Sequence, residues 1–143
     1  MVLESRTQTG RHGEAWAIQA LTTPSRQLLS ANWRWRRHEI DAVFMELDTV
    51  VFLEVKSRTG CGTNLRLDLH MPGAAQQKRI VKAANAFMKR HGMHAMECRF
   101  DVAAVRVHPL NGQVAHFTHV PNAFDGTQAL LPCAPRGRWR KMP

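Results

Sequence analysis

The sequence predicts an α/β fold: a single domain whose mixed central β-sheet is flanked by helices. Three observations carry this. Two apolar runs, Ala42-Val43-Phe44-Met45 and Val50-Val51-Phe52-Leu53, sit either side of a short polar break and form a hairpin pattern. A second pair of strand-like stretches, 100–107 and 114–120, follows late in the chain. Between the pairs, Ile80, Ala83, Ala84 and Phe87 recur at helical spacing. The order helix, three strands, helix, two strands gives one layered α/β domain.

Each element has its own signal. Residues 1–9 are polar and read as a flexible arm. Thr9 or Gly10 opens a helix over 11–21, with Ala15, Ile18, Leu21 and Trp16 as its inward candidates, and Pro24 ends it. A first strand spans 28–35, and the hairpin strands span 40–45 and 50–57. Gly60, Gly62, Pro72 and Gly73 mark a long loop over 59–73. The second helix runs over 74–91 and stops at His91-Gly92. Asn111-Gly112 is a turn signal between the last two strands. The domain is placed at 10–125. From Gly126 onward Pro, Gly and Arg dominate, so 126–143 reads as a disordered basic tail.

Composition narrows the function classes. The chain has 143 residues, with 20 Lys plus Arg against 11 Asp plus Glu, a formal charge of +9. Such excess suits a polyanionic partner, nucleic acid above all, although it also serves solubility. Three scattered cysteines, Cys61, Cys98 and Cys133, form no C-x-x-C pattern. They argue against a disulfide framework or a zinc site and fit a reducing cytoplasm. The polar start lacks the apolar core of a signal peptide, and no apolar run approaches a membrane span. No phosphate-cradling glycine motif is present. His116 and His119 have no acid at metal-ligand spacing and read as strand residues.

The chemistry-bearing strings flank the hairpin: His38-Glu39-Ile40-Asp41 and Glu54-Val55-Lys56. A turn centred between Leu47 and Asp48 pairs position i with 95 − i. Asp41 then faces Glu54, and Glu39 faces Lys56. Residues two apart on a strand share a face, so all four gather on one side. Opposed carboxylates repel unless something positive lies between them. A hard divalent cation with oxygen ligands is one solution. Cross-strand ion pairs, Glu39 with Lys56 and Asp41 with Arg58 or Lys56, are the other, and spacing leaves both open. On the metal reading Asp41 and Glu54 are ligands, the Val55 carbonyl adds an oxygen, and Lys56 is the catalytic cation. Trp33-Arg34-Trp35-Arg36-Arg37 interleaves indoles with guanidinium groups, for stacking on bases or for inward packing with Arg outward. Lys78, Arg79, Lys82, Lys89 and Arg90 give the second helix a basic face.

At this point the chain resembles a known bacterial family, the YraN-like proteins. The resemblance lies in Gly10-x-x-Gly13-Glu14-x-x-Ala17, Asn32, Glu39-Ile40-Asp41 and the string Val51-Phe52-Leu53-Glu54-Val55-Lys56-Ser57-Arg58. Gln77, Cys98-Arg99-Phe100-Asp101-Val102 and Asn122-Ala123-Phe124 extend it. It runs from about Gly10 to Phe124. That family is similar to the PD-(D/E)XK restriction-endonuclease-like superfamily and to Holliday-junction resolvases. Two features depart from its pattern: Arg37-His38 stands where Gly is usual, and the segment 20–37 is short.

The resemblance implies a restriction-endonuclease-like core and a Mg²⁺- or Mn²⁺-dependent nuclease acting on DNA, branched or damaged structures included. It assigns Asp41, Glu54 and Lys56 to catalysis and adds Glu14 to the metal ligands Asp41, Glu54 and Val55. Gln77 becomes a polar helix residue near the site. The nucleic-acid contacts expected are Arg34, Arg36, Arg37, Arg58, Gln77, Lys78 and Lys82. A nucleic-acid-binding module of the same fold without turnover is the alternative. Junction resolvases work as dimers, so a homodimer is the corresponding expectation, although no dimer seam is legible in the chain.

Overall fold

The structure, a computed structural model, describes residues 6–60 and 71–127, with side chains from residue 10 onward. Helix α1 (Arg6–Leu21) leads into β1 (Arg26–Trp35), β2 (His38–Glu46) and β3 (Thr49–Thr59). Helix α2 (Ala74–Arg90) crosses to β4 (Glu97–Val107), and β5 (Val114–Phe124) ends the sheet. The five strands lie in the order β1-β2-β3-β4-β5. All neighbours are antiparallel except β3 and β4, whose parallel pairing is what the α2 crossover makes possible. The predicted element order holds.

The hairpin register follows the expected arithmetic. Glu46 pairs with Thr49, Val43 with Phe52 and Ala42 with Leu53, each pair summing to 95. Leu47 takes a positive φ of 53° to close the reversal. Central position explains the apolar runs: Val50 to Leu53 and Phe100 to Val105 are buried almost throughout, because helices cover both faces of these strands.

Two cores result. On one face Val43, Val50, Phe52, Phe100 and Val102 pack under Ile80, Ala84 and Phe87 of α2. On the other Phe44, Val51, Leu53, Ala103 and Val105 pack under Ala17 and Leu21 of α1. Trp33 takes its inward option, meeting Phe87 edge to face at 5.2 Å. Cys98 is also a packed residue; burial pushes its thiol up to about 12, which keeps it protonated and inert. No helix among the described residues is long and apolar enough to cross a membrane.

Helix α1 differs from its expectation in two ways. It begins at Arg6, so residues 6–9 belong to the helix and not to the arm. Its buried stripe is Gly13, Ala17 and Leu21, while Ala15 is exposed and Trp16 leans on Phe117 at the surface. Small residues let the helix lie close on the sheet, and that packing overrides the poor helix propensity of glycine. A Cβ on Gly13 would collide with Ser57 Oγ and come within 3.0 Å of Ser57 Cβ. Gly13→Ala is therefore expected to lower stability by about 1–3 kcal/mol in urea titration, although an alanine gains about 1 kcal/mol in an open helix. At the other end, Gly126 is buried against the Phe100 ring. Residues 1–5, 61–70 and 128–143 lie outside the described residues.

Candidate metal centre

The site forms where β2 and β3 part. Their ladder ends at Ala42–Leu53. The next amide along, Val55 N–H, donates instead to Asp41 Oδ2 at 2.7 Å. The Asp41 carboxylate thus takes the place of a backbone acceptor at the fork. β2 also changes face here: Ile40 packs under α2, but Ala42 packs under α1. On a regular strand they would share a face. Asn32, opposite on β1, has a positive φ of 53°, which Asn tolerates better than most residues.

This twist brings three segments together. Oxygens of Glu14 on α1 and of Glu39 and Asp41 on β2 all lie within 4.8 Å of one another. With its amide turned so that the nitrogen faces the carboxylates, Asn32 joins the first two, donating to Glu39 Oε1 at 3.1 Å and to Glu14 Oε1. Glu54, only 9 % exposed, approaches from β3 and faces Asp41 closely enough for its charge to raise that carboxyl. Its Oε1 accepts from Gln76 Nε2 at 2.7 Å and from Lys56 Nζ at 3.2 Å. Lys56 Nζ also donates to Gln76 Oε1 at 2.8 Å, which closes a Lys56–Gln76–Glu54 triangle.

The electrostatics report a deficit of positive charge. Burial, then Glu39 and Glu54, pushes the Glu14 carboxyl up to about 7. Burial, then Glu54 and Glu14, lifts Asp41 well above the usual carboxylate range. Burial also raises Glu54, against the pull of Lys56. Lys56 reaches only Glu54 and Arg34 only Glu39, so Glu14 and Asp41 face their neighbouring carboxylates without an ion pair among the described residues. An all-oxygen donor set with excess negative charge suits a hard divalent cation such as Mg²⁺ or Mn²⁺ and not zinc.

Several expectations change in detail. Glu39 does not oppose Lys56; it turns to Arg34 at 3.2 Å and joins the carboxylate cluster. The strict face alternation that put it opposite Lys56 breaks at the Asp41 twist. Neither Lys56 nor Arg58 pairs with Asp41, and Arg58 is exposed. Gln76, not Gln77, reaches the site: Gln77 Nε2 donates to the Pro72 carbonyl at 2.9 Å and caps the loop before α2. One residue on a helix is a rotation of about 100°, and the helical period alone does not choose between adjacent glutamines. Val55 contributes its N–H to Asp41. Arg36 and Arg37 lie exposed in the β1–β2 turn, and Lys78 and Lys82 lie exposed on α2.

A cleft of about 340 Å³ opens over Asp41 and Glu54 on the α2 side, with Arg37, His38, Gln76 and Arg79 on its walls. Sequence reasoning placed neither His38 nor Arg79 in the site. Their signal was present in the basic α2 face and in the His-Glu-Ile-Asp string, but not in which turn of helix met which strand.

Comparison with other proteins agrees with the reading of the motifs. The model of the uncharacterised protein family UPF0102 matches residues 13–105. A UPF0102 protein of Chlorobium phaeobacteroides (strain BS1) is 36% identical over 118 residues, covering 80% of this chain and 92% of its own. One from Stutzerimonas stutzeri (strain A1501) is also 36% identical over 118 residues, covering 82% and 94%. Among solved structures, Pyrococcus furiosus SfsA in complex with Ca²⁺ covers 80% of this chain and 61% of its own, at 10% identity and a TM-score of 0.31. That score is too low to bear on the fold. The match across Glu14, the hairpin strings and the α2 crossover, with relatives at this identity over most of their length, means that the chain belongs to the UPF0102, or YraN, family.

Proposed function

We propose that this protein is a divalent-metal-dependent nuclease with a restriction-endonuclease-like core, hydrolysing phosphodiester bonds in DNA, branched or damaged structures included. One observation carries this: carboxylates from α1, β2 and β3 converge beside a lysine, in a chain of net charge +9. Glu14, Asp41 and Glu54, with Glu39 at the rim, would hold Mg²⁺ or Mn²⁺. A cation there supplies charge neutralisation at the phosphate and acidifies water near neutral pH.

The chain's own groups do the rest. The Val55 amide fixes the Asp41 carboxylate, so Asp41 would meet a cation with little reorganisation. Gln76 holds both Glu54 and Lys56, setting the separation between a metal ligand and the ammonium. Lys56 offers its donors to a non-bridging phosphate oxygen as charge builds there. Arg37 and Arg79 on the cleft wall attract and seat the phosphate.

The test is a cleavage screen of duplex, flap, single-stranded and four-way DNA with Mg²⁺ or Mn²⁺, with Glu54→Ala protein alongside. Cleavage is expected to need metal and to fall at least a hundredfold in the variant, the scale on which loss of one charge-stabilising group acts. Cleavage that survives both chelation and the substitution would sink the mechanism. DNA binding with no cleavage of any substrate would leave the binding-module reading in its place.

A further inference from the structure

We infer that a single-stranded nucleic-acid segment runs along α2, from the metal centre to a second groove walled by Trp35. This rests on reading the site as directed to nucleic acid, not on its turning over. The groove, of about 440 Å³, lies between α2 and the end of β1 and is lined by Trp35, Lys82, Asn85, Ala86, Lys89 and Arg90.

Helical spacing joins it to the metal site. Gln76 and Arg79 line the catalytic cleft, and Lys82, Ala86, Lys89 and Arg90 continue the same stripe at steps of three, four and seven residues. Across from them the β1–β2 turn does likewise, with Trp35 on the groove and Arg37 and His38 on the cleft. From Arg79 to Arg90 the path is about 16 Å long, room for roughly five nucleotides at duplex rise.

Charge and shape select the occupant. α2 carries five cations and no acid. Arg79, Lys82, Lys89 and Arg90 are exposed, and none forms an ion pair with a described residue. The wall between them is the indole, the Ala86 methyl and the aliphatic stems of the lysines. An apolar wall inside a cationic rim fits an unpaired base or sugar between phosphates; a duplex keeps its bases stacked away from such a wall. Arg36 lies over the Trp35 ring at 4.6 Å. A base that takes its place on the indole frees that guanidinium for a phosphate.

The probe is a fluorescein-labelled oligothymidylate of about 12 nucleotides, titrated in EDTA against a duplex of equal length, with anisotropy and tryptophan emission as readouts. The single strand is expected to bind at least tenfold tighter and to quench emission, with the quench lost in Trp35→Phe. Lys82→Ala/Lys89→Ala/Arg90→Ala is expected to weaken binding at least tenfold and to reduce the slope of log affinity against log salt by about 2. Duplex preference, no binding, or a triple variant that binds like the parent would overturn the inference. Metal-dependent cleavage without this binding removes the groove and keeps the nuclease; this binding without cleavage does the reverse.

Discussion

Asp41→Asn is expected to raise the melting temperature of the metal-free protein and to abolish its stabilisation by Mg²⁺. The two effects have one cause. In the metal-free protein Asp41 is a buried carboxylate facing Glu54 and Glu14, and both burial and those neighbours oppose its charge. Asparagine cannot ionise, so folding no longer has to neutralise a carboxylate there, and it keeps an oxygen to accept the Val55 N–H. The gain should be about 1–2 kcal/mol, the usual scale for relieving strain stored at a functional site. The parent, saturated a hundredfold above its metal dissociation constant, should gain about 2.7 kcal/mol that the variant lacks.

The sign of the pH dependence follows. Glu14 takes up its proton near pH 7 in the folded state and near 4.5 when unfolded. Between those values the native state binds more protons, so metal-free stability rises as pH falls through this window. Saturating Mg²⁺ should flatten that rise. Thermal melts from pH 4.5 to 8, with and without Mg²⁺, check both; a variant that melts below the parent without metal would contradict the clustered-carboxylate picture.

Why Asp41 was legible and Glu39 was not is a question of what sequence spacing encodes. A two-residue reversal leaves one register, so the pairs from Glu46–Thr49 to Ala42–Leu53 followed from the turn alone. Beyond Leu53 the strands separate, and the change of face at Asp41 is a property of the twisted backbone against Asn32. No pattern of period two announces it. Gln76 and Gln77 pose a similar problem, because helix rotation is set by the packing of Ile80, Ala84 and Phe87 on the sheet. Small residues hide the inner stripe of α1: Gly13 and Ala17 carry little hydrophobic signal, yet they set how closely Glu14 approaches Asp41.

The mixed sheet implied a parallel pair across the second helix, but the register of β3 on β4 was not legible, and with it the most buried charge among the described residues. Asp101 is 1 % exposed. It accepts from His119 Nε2 at 2.8 Å, from the Asn122 amide at 2.8 Å and from Arg99 Nε at 3.0 Å. Arg99 reaches on to Glu46, which Arg26 also holds at 2.6 Å. The chain of charge ties β5 to β1 across the face that α1 leaves open, and Arg26 extends it to the Leu21 carbonyl at the end of α1.

Asp101→Ala is expected to cost about 3–5 kcal/mol, because it leaves a guanidinium short of a partner and a backbone donor unmet. For a domain of this size that is a fall in melting temperature of roughly 10–15 °C. Burial alone would raise the Asp101 carboxyl, but the bonds from His119, Arg99 and Asn122 outweigh it and hold it below the ordinary value. Glu46 is lowered in the same way by Arg99 and Arg26, against a smaller desolvation. The unfolded chain therefore takes up these protons first as pH falls through 3.8 for the aspartate, and stability present above that value is lost below it. Asp101→Asn keeps the side chain's size and an acceptor for Asn122 but removes the charge. Its stability should vary less between pH 5 and 3 than the parent's. Urea midpoints across that range measure the difference, and an undiminished acid dependence in Asp101→Asn would place the acid-sensitive group elsewhere.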